Sequence, residues 1–169
     1  MLRSIVCALA LLIAVPFAAI ARPAPHADLW NGKDIAWRDV RSGISESAQT
    51  GRPAIMVFHT TWCSVCKRFR LLFKNPEIVA ASKDFVMILV DADVDREVNG
   101  IFSKDGNYVP RTIFMDANGK VSNTLVGRDR QYPHTLDVDR PDELLALMKR
   151  ARGLGGTAPK APPSTESRT

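Results

Sequence analysis

The sequence predicts an α/β fold, a central mixed sheet of about four strands flanked by helices. Three observations predict it. Apolar runs of strand length alternate with stretches whose apolar residues recur at helical spacing. The first two strand-like runs are separated by helical segments, which requires a parallel crossover, whereas the last two flank a short turn signature, which requires an antiparallel hairpin. The composition, 46% hydrophobic and 24% charged, is ordinary for a packed core and excludes a disordered chain. A coiled coil is excluded by 11 prolines and 10 glycines.

The elements follow in chain order. Residues 1–21 read as a cleaved signal peptide: Arg3 supplies a positive start, Ile5 to Ile20 carries no charge, and Ala19-Ile20-Ala21 fits the small-x-small rule for cleavage. The stretch is short of the roughly 20 apolar residues of a spanning helix, so no stable membrane insertion is expected once the leader is removed, and a retained N-terminal anchor is the alternative. Cleavage would remove Arg3 and Cys7, leaving Cys63 and Cys66 as the only sulfurs of the three cysteines. Residues 22–27 form a Pro-rich lead-in. A folded domain is expected over 28–152, the commonest domain size, followed by a flexible Gly/Pro/Ser tail over 153–169.

Within the domain, Trp37, Val40, Ile44 and Ala48 recur at helical spacing and predict a first helix that ends near Gly51. Pro53 to His59 reads as a buried strand. From Cys63 to Phe73, Val65, Phe69, Leu72 and Phe73 share one helical face, and Asn75-Pro76 restarts a helix as cap and first residue. Phe85 to Val90 is a near-continuous apolar run, as in a central strand. Asp91 to Asn107 is acidic and irregular, with room for one helical turn. Arg111 to Met115 and Lys120 to Leu125 flank Asp116-Ala117-Asn118-Gly119, a hairpin signature. Asp139 and Pro141 open a last helix over 141–151, which Gly153 closes.

The two cysteines sit where a buried strand gives way to a helix, in Trp62-Cys63-Ser64-Val65-Cys66-Lys67. A c-type haem attachment needs His after the second Cys, and Lys67 stands there. A structural zinc site needs four ligands; His59 and His134 would complete a Cys2His2 set, but at no zinc-finger spacing. A disulfide closing so small a ring constrains the unfolded chain very little. Redox chemistry suits the geometry better. At a helix start, unpaired backbone N–H groups face the Cys63 sulfur and favour thiolate, and Cys66 lies one turn along the same face, placed to attack a mixed disulfide on Cys63. Such a pair needs no metal and no organic cofactor.

Trp62-Cys63-x-x-Cys66-Lys67 after the strand Ile55–Phe58, followed by Asp105-Gly106-x-Tyr108-Val109-Pro110-Arg111 before another, resembles the thioredoxin superfamily. The similarity runs from about Arg52 to Val121 and is nearest to the small one-domain endoplasmic-reticulum proteins of the anterior-gradient type; bacterial exported thioredoxin-like proteins share the layout. The resemblance implies a thioredoxin fold. It makes Pro110 a cis-proline facing a redox-active disulfide of Cys63 and Cys66, with the Val109 backbone and Trp62 contacting substrate. Departures matter too. Where thioredoxin carries a buried carboxylate before its motif this chain has Val57, and Phe85 to Val90 carries no charge, so the group that deprotonates Cys66 is open: a different base, water, or His59 as a proton relay. Ser64-Val65 between the cysteines offers no imidazole.

Other features carry less. The net charge of +5 forms no coherent patch: Lys67-Arg68-Phe69-Arg70 and Lys149-Arg150-Ala151-Arg152 fall on two separate helices, so no nucleic acid is expected as partner. Asp91-Ala92-Asp93-Val94-Asp95 lacks the Gly and distal Glu of a calcium loop. Trp30 and Trp37 are expected to pack the lead-in on the domain. The expected function is that of an exported thiol–disulfide oxidoreductase, periplasmic or secreted, acting on protein thiols and disulfides and served by a redox-recycling partner. The alternatives are a secretory-pathway lumen as the compartment, and a redox-inactive thioredoxin-fold chaperone or partner-binding module as the function.

Overall fold

A computed structural model describes residues 22–156; the expected leader over 1–21 and most of the expected tail lie outside the described residues. Strand β1 (Ala54–His59) is central. It pairs in parallel with β2 (Val86–Asp91), bringing Val57 opposite Leu89 and His59 opposite Asp91, and antiparallel with β3 (Arg111–Met115), bringing Phe58 opposite Arg111. All three strands are buried along their whole length, which is why β1 and β2 read as continuous apolar runs and not as alternating ones.

The fourth expected strand, Lys120 to Leu125, is reduced to a single bridge between Met115 and Val121, so the sheet has three strands. The turn before it is as predicted, with Gly119 at φ 80°. The difference lies in what takes the outer edge of β3. Ser122 N–H donates to Phe114 O at 2.8 Å, but Thr112 N–H, further along, donates to His134 O at 2.7 Å. A loop returning from farther down the chain satisfies the edge that a full strand would have covered.

The sheet carries an apolar cluster on each face. On one, Ile55, Val57, Leu89 and Phe114 pack against Trp30, Trp37, Phe69, Phe73 and helix α5 (Pro141–Ala151). On the other, Met56, Phe58, Ile88 and Ile113 meet Val40, Val98 and Phe102 from α1 (Val40–Thr50) and the region of α4 (Arg96–Ile101). Ala24 of the lead-in joins Trp30 and Trp37 in the first cluster, and its N–H donates to Trp37 O at 3.1 Å. Among the described residues no helix is long and apolar enough to cross a membrane.

Helix α1 starts later and buries a different face from the one expected. Asp39 caps it, accepting Ser42 N–H at 2.7 Å, so Trp37 lies outside the helix. Ile44 and Ala48 are exposed, and Gly43 and Ser47 are buried instead. A Cβ on Gly43 would lie 2.5 Å from Ile88 Cγ1. The helix approaches β2 so closely that only small residues fit between them, and an apolar stripe cannot report that.

After β1, helix α2 (Ser64–Phe69) gives way to a 3-10 turn at Arg70–Lys74. Cys66, Phe69, Leu72 and Phe73 are buried, whereas Val65, expected on the same face, is exposed. Asn75 then caps α3 (Pro76–Ser82), its Oδ1 accepting Glu77 N–H at 2.8 Å, with Pro76 first as expected. Helix α5 keeps its predicted bounds, but its cap position is Arg140, with no side-chain bond, and not Asp139. A last 3-10 turn, Arg152–Leu154, brings Gly156 N–H to Gly51 O at 3.0 Å.

Candidate active site

Strand β1 hands the chain through Thr60 and Thr61 to Trp62 and then to Cys63, which is the N-cap of α2. The cap is made by sulfur: Cys66 N–H donates to Cys63 Sγ at 3.1 Å. Cys63 and Cys66 are free thiols, 5% and 2% accessible. The one-turn spacing therefore does what the sequence implied, placing one sulfur at the helix start and the other just inside it. Cys63 Sγ also donates to Val109 O at 3.8 Å, and the Val109–Pro110 bond is cis. Two motifs 46 residues apart thus meet at one sulfur.

Trp62 stands on the rim, 69% accessible, with its Nε1–H donating to Asp93 Oδ2 at 2.6 Å. Between Trp62 and Val109 runs an open groove of about 630 Å³, which also touches Arg96 and Asn99. Val65, between the two cysteines, is also exposed.

Burial, with the Cys63 thiol hydrogen-bonded beside it, pushes the Cys66 thiol up to about 12. Val57 is fully buried and brings no carboxylate to relieve this. His59, the last residue of β1, is 2% accessible. Its ring lies 5.1 Å from that of Trp30 and 6.1 Å from that of His26. Burial pulls its pKa below the usual 6.5, partly offset by Asp91 across the strand pair, so it is neutral at about pH 7. A small cavity of about 70 Å³ is lined by His59, Thr60, Trp30 and Cys66.

His134, the other histidine weighed as a zinc ligand, is not brought to the cysteines. It sits on the loop over β3, where its N–H donates to Tyr108 Oη at 3.1 Å and its Nε2 lies 3.9 Å from Asp105. The described residues contain no group of three or more His, Cys, Asp or Glu side chains able to hold a metal ion.

Two of the buried charged residues, Asp91 and Arg111, belong to no site motif of the sequence. Asp91 is buried at the end of β2, with Oδ2 3.6 Å from His26 Nε2 and Oδ1 accepting Asp93 N–H at 3.0 Å. Its one signal is a carboxylate closing an apolar strand, at the end of the sheet where ligands of open α/β folds bind. Arg111, quoted only as part of the Val-Pro-Arg run, is fully buried. Its Nη1 donates to Ser103 Oγ and Gly106 O, each at 2.9 Å, its Nη2 donates to Asn99 Oδ1, and its guanidinium stacks 4.6 Å over the Phe58 ring. It ties α4 and the following loop to the strand that begins just after Pro110.

A family model described as thioredoxin-like matches residues 36–117. The chain is similar to anterior gradient protein 3 of Mus musculus, 32% identical over 127 residues that make up 71% of this chain and 73% of that one. It is similar also to anterior gradient protein 2 of Xenopus laevis, 29% identical over 124 residues, 72% of this chain and 65% of that one, so it spans about two thirds of these relatives' length. A third likeness is to the thiol:disulfide interchange protein DsbD of Ralstonia nicotianae, 31% identical over 126 residues but only 19% of that protein. Among solved structures, a thioredoxin of Halobacterium salinarum shares the fold at a TM-score of 0.50 and 14% identity, over 70% of this chain and 92% of that one.

Proposed function

The chain belongs to the thioredoxin-like family, and on that premise we propose that it is an exported oxidoreductase that exchanges disulfides with protein thiols, Cys63 acting as nucleophile and Cys66 as resolving thiol. The observation that carries this reading is the meeting at Cys63 Sγ of the Cys66 N–H, at 3.1 Å, and the Val109 carbonyl, at 3.8 Å. The first supplies a donor to a thiolate. The second is a free backbone edge to which an extended substrate segment can add as a strand, delivering its sulfur to Cys63. The Cys63 thiolate attacks one sulfur of a substrate disulfide, that S–S bond breaks, and the electron pair leaves on the other substrate sulfur. Cys66 then attacks Cys63, releasing the remaining substrate thiolate and closing the Cys63–Cys66 disulfide. A recycling dithiol reverses the sequence.

Trp62 and Val65 serve this role as an apolar rim for an unfolded or extended segment. Export rests on residues 1–21, and N-terminal sequencing of the protein recovered from a periplasm or a secretory lumen tests it, with a start near Arg22 expected. The exchange itself is tested with a disulfide-containing peptide. Cys63→Ser should abolish exchange, and Cys66→Ala should accumulate a peptide mixed disulfide on Cys63; exchange unchanged by Cys63→Ser overturns the mechanism.

One observation favours a second reading, a binding module without turnover: the resolving thiol is pushed up to about 12 and Val57 offers it no base. Peptide binding that survives in a Cys63→Ala, Cys66→Ala double variant, with no redox cycling in the parent, would decide for that reading.

A further inference from the structure

If the exchange reading holds, resolution requires Cys66 to give up a proton inside a core that resists the loss. Cys66 is 2% accessible, and no carboxylate lines the cavity beside it. The cavity of about 70 Å³ beside it has the features of a proton-transfer site. Two of its lining residues carry a buried polar atom with no hydrogen-bond partner among the described residues, His59 Nε2 and Thr60 Oγ1. His59 and Thr60 are 2% and 4% accessible, so bulk solvent does not satisfy those atoms. A polar cavity needs only about 10–15 Å³ to take one water, and this one exceeds that several-fold.

We propose that His59 is the base that accepts the Cys66 proton, through water in this cavity, with Asp91 behind it stabilising the imidazolium. The other groups around the cavity cannot take that part. Arg70 is always protonated, and Lys67 is a cation that helps the thiolate but offers no lone pair. Asp91 does not line the cavity; its oxygens are turned to Asp93 N–H and to His26, whose own ring meets His59 edge-on at 6.1 Å.

The step balances. The Cys66 S–H proton passes to His59, the thiolate attacks Cys63 Sγ, and the Cys63–substrate S–S bond breaks with its electron pair on the substrate sulfur. The substrate thiolate takes up the proton that His59 then releases. The cysteine pair is oxidised by two electrons and the substrate disulfide is reduced by two.

The test mixes the reduced protein with a symmetrical nitrobenzoate disulfide whose released thiolate absorbs visible light. Attack by Cys63 gives a first release that depends on reagent concentration, and attack by Cys66 gives a second that does not. His59→Gln should leave the first phase within about twofold and slow the second about 100-fold at about pH 7, in the range general-base catalysis supplies. In the parent, the second phase should rise as His59 loses its proton below about pH 6.5 and then hold level to about pH 8. In His59→Gln it should climb about tenfold per pH unit instead. A purely structural His59 would shift the melting temperature without changing that profile. A second phase that climbs tenfold per pH unit in the parent, or is unaltered in His59→Gln, overturns the proposal, and the parent profile decides even where the variant does not fold. A first phase absent in the parent, or surviving Cys63→Ser, would instead overturn the exchange reading on which the proposal rests.

Discussion

Arg111 and His59 stand at the same end of the sheet, one residue out of register with each other, on opposite faces: Arg111 opposite Phe58 on β1, and His59 next in the chain, opposite Asp91 on β2. Both are buried bases whose pKa is pulled down by burial. Their surroundings differ. Arg111 makes three hydrogen bonds and stacks on two rings, Phe58 and Tyr108, leaving only Nε without a partner. His59 keeps an unpartnered Nε2 beside a cavity and a thiol. A buried polar group satisfied nearly all round holds a structure in place. One left open next to a reactive group is placed for chemistry, and the cost of leaving it open is carried by the rest of the core.

The sharpest way to break this contrast is Arg111→Ala. Removing the guanidinium strands Asn99 Oδ1, Ser103 Oγ and the Gly106 carbonyl, and unfolding in urea should show a loss of about 3 kcal/mol or more. Arg111→Lys should recover only a minor part, because one ammonium cannot serve that fork of acceptors. A loss under about 1 kcal/mol would mean that the cluster does not hold the loop before Pro110. His59→Gln should reverse the pattern, with a stability change within about 1 kcal/mol while the resolving phase falls about 100-fold.

Smaller effects follow from pH. The Cys66 thiol is raised from 9.0 to about 12 in the folded protein, so above about pH 9 the unfolded chain loses a proton that the folded chain keeps. Stability is therefore whole below pH 9 and declines above it, by about 1 kcal/mol at pH 10. Urea titrations of the reduced protein should show this, and Cys66→Ala should lack it. On the acid side the sign is set by His59 and His134, both pulled below 6.5 by burial. Below that pH the unfolded chain binds protons that the folded chain refuses, so stability falls as pH drops. His59→Gln should remove part of that slope and Arg111→Lys none of it.

Much of the architecture is written in short stretches of chain. The runs at 54–59 and 86–91 are buried strands because both of their faces are covered, Asn75-Pro76 starts α3, and α5 spans 141–151 as its spacing and end signals imply. Where expectation and structure part, the deciding contact is distant. Ile44 and Ala48 of α1 point away from the core because the helix meets Ile88 through Gly43. The fourth strand is a single bridge because His134 O holds Thr112 N–H, an acceptor 22 residues along the chain.

The site divides the same way. That Cys63 and Cys66 form a pair at a helix start follows from their spacing and from the strand before them, since a helix start is an affair of a few neighbouring residues. That Cys63 faces Val109, 46 residues away, was implied by family resemblance and is realised by the antiparallel pairing of β1 with β3. That His59 has Asp91 beside it, an unpartnered nitrogen and a cavity shared with Cys66 was decided by tertiary structure alone. The register of two parallel strands and the burial of an imidazole depend on everything packed around them, and no local pattern of residues encodes either.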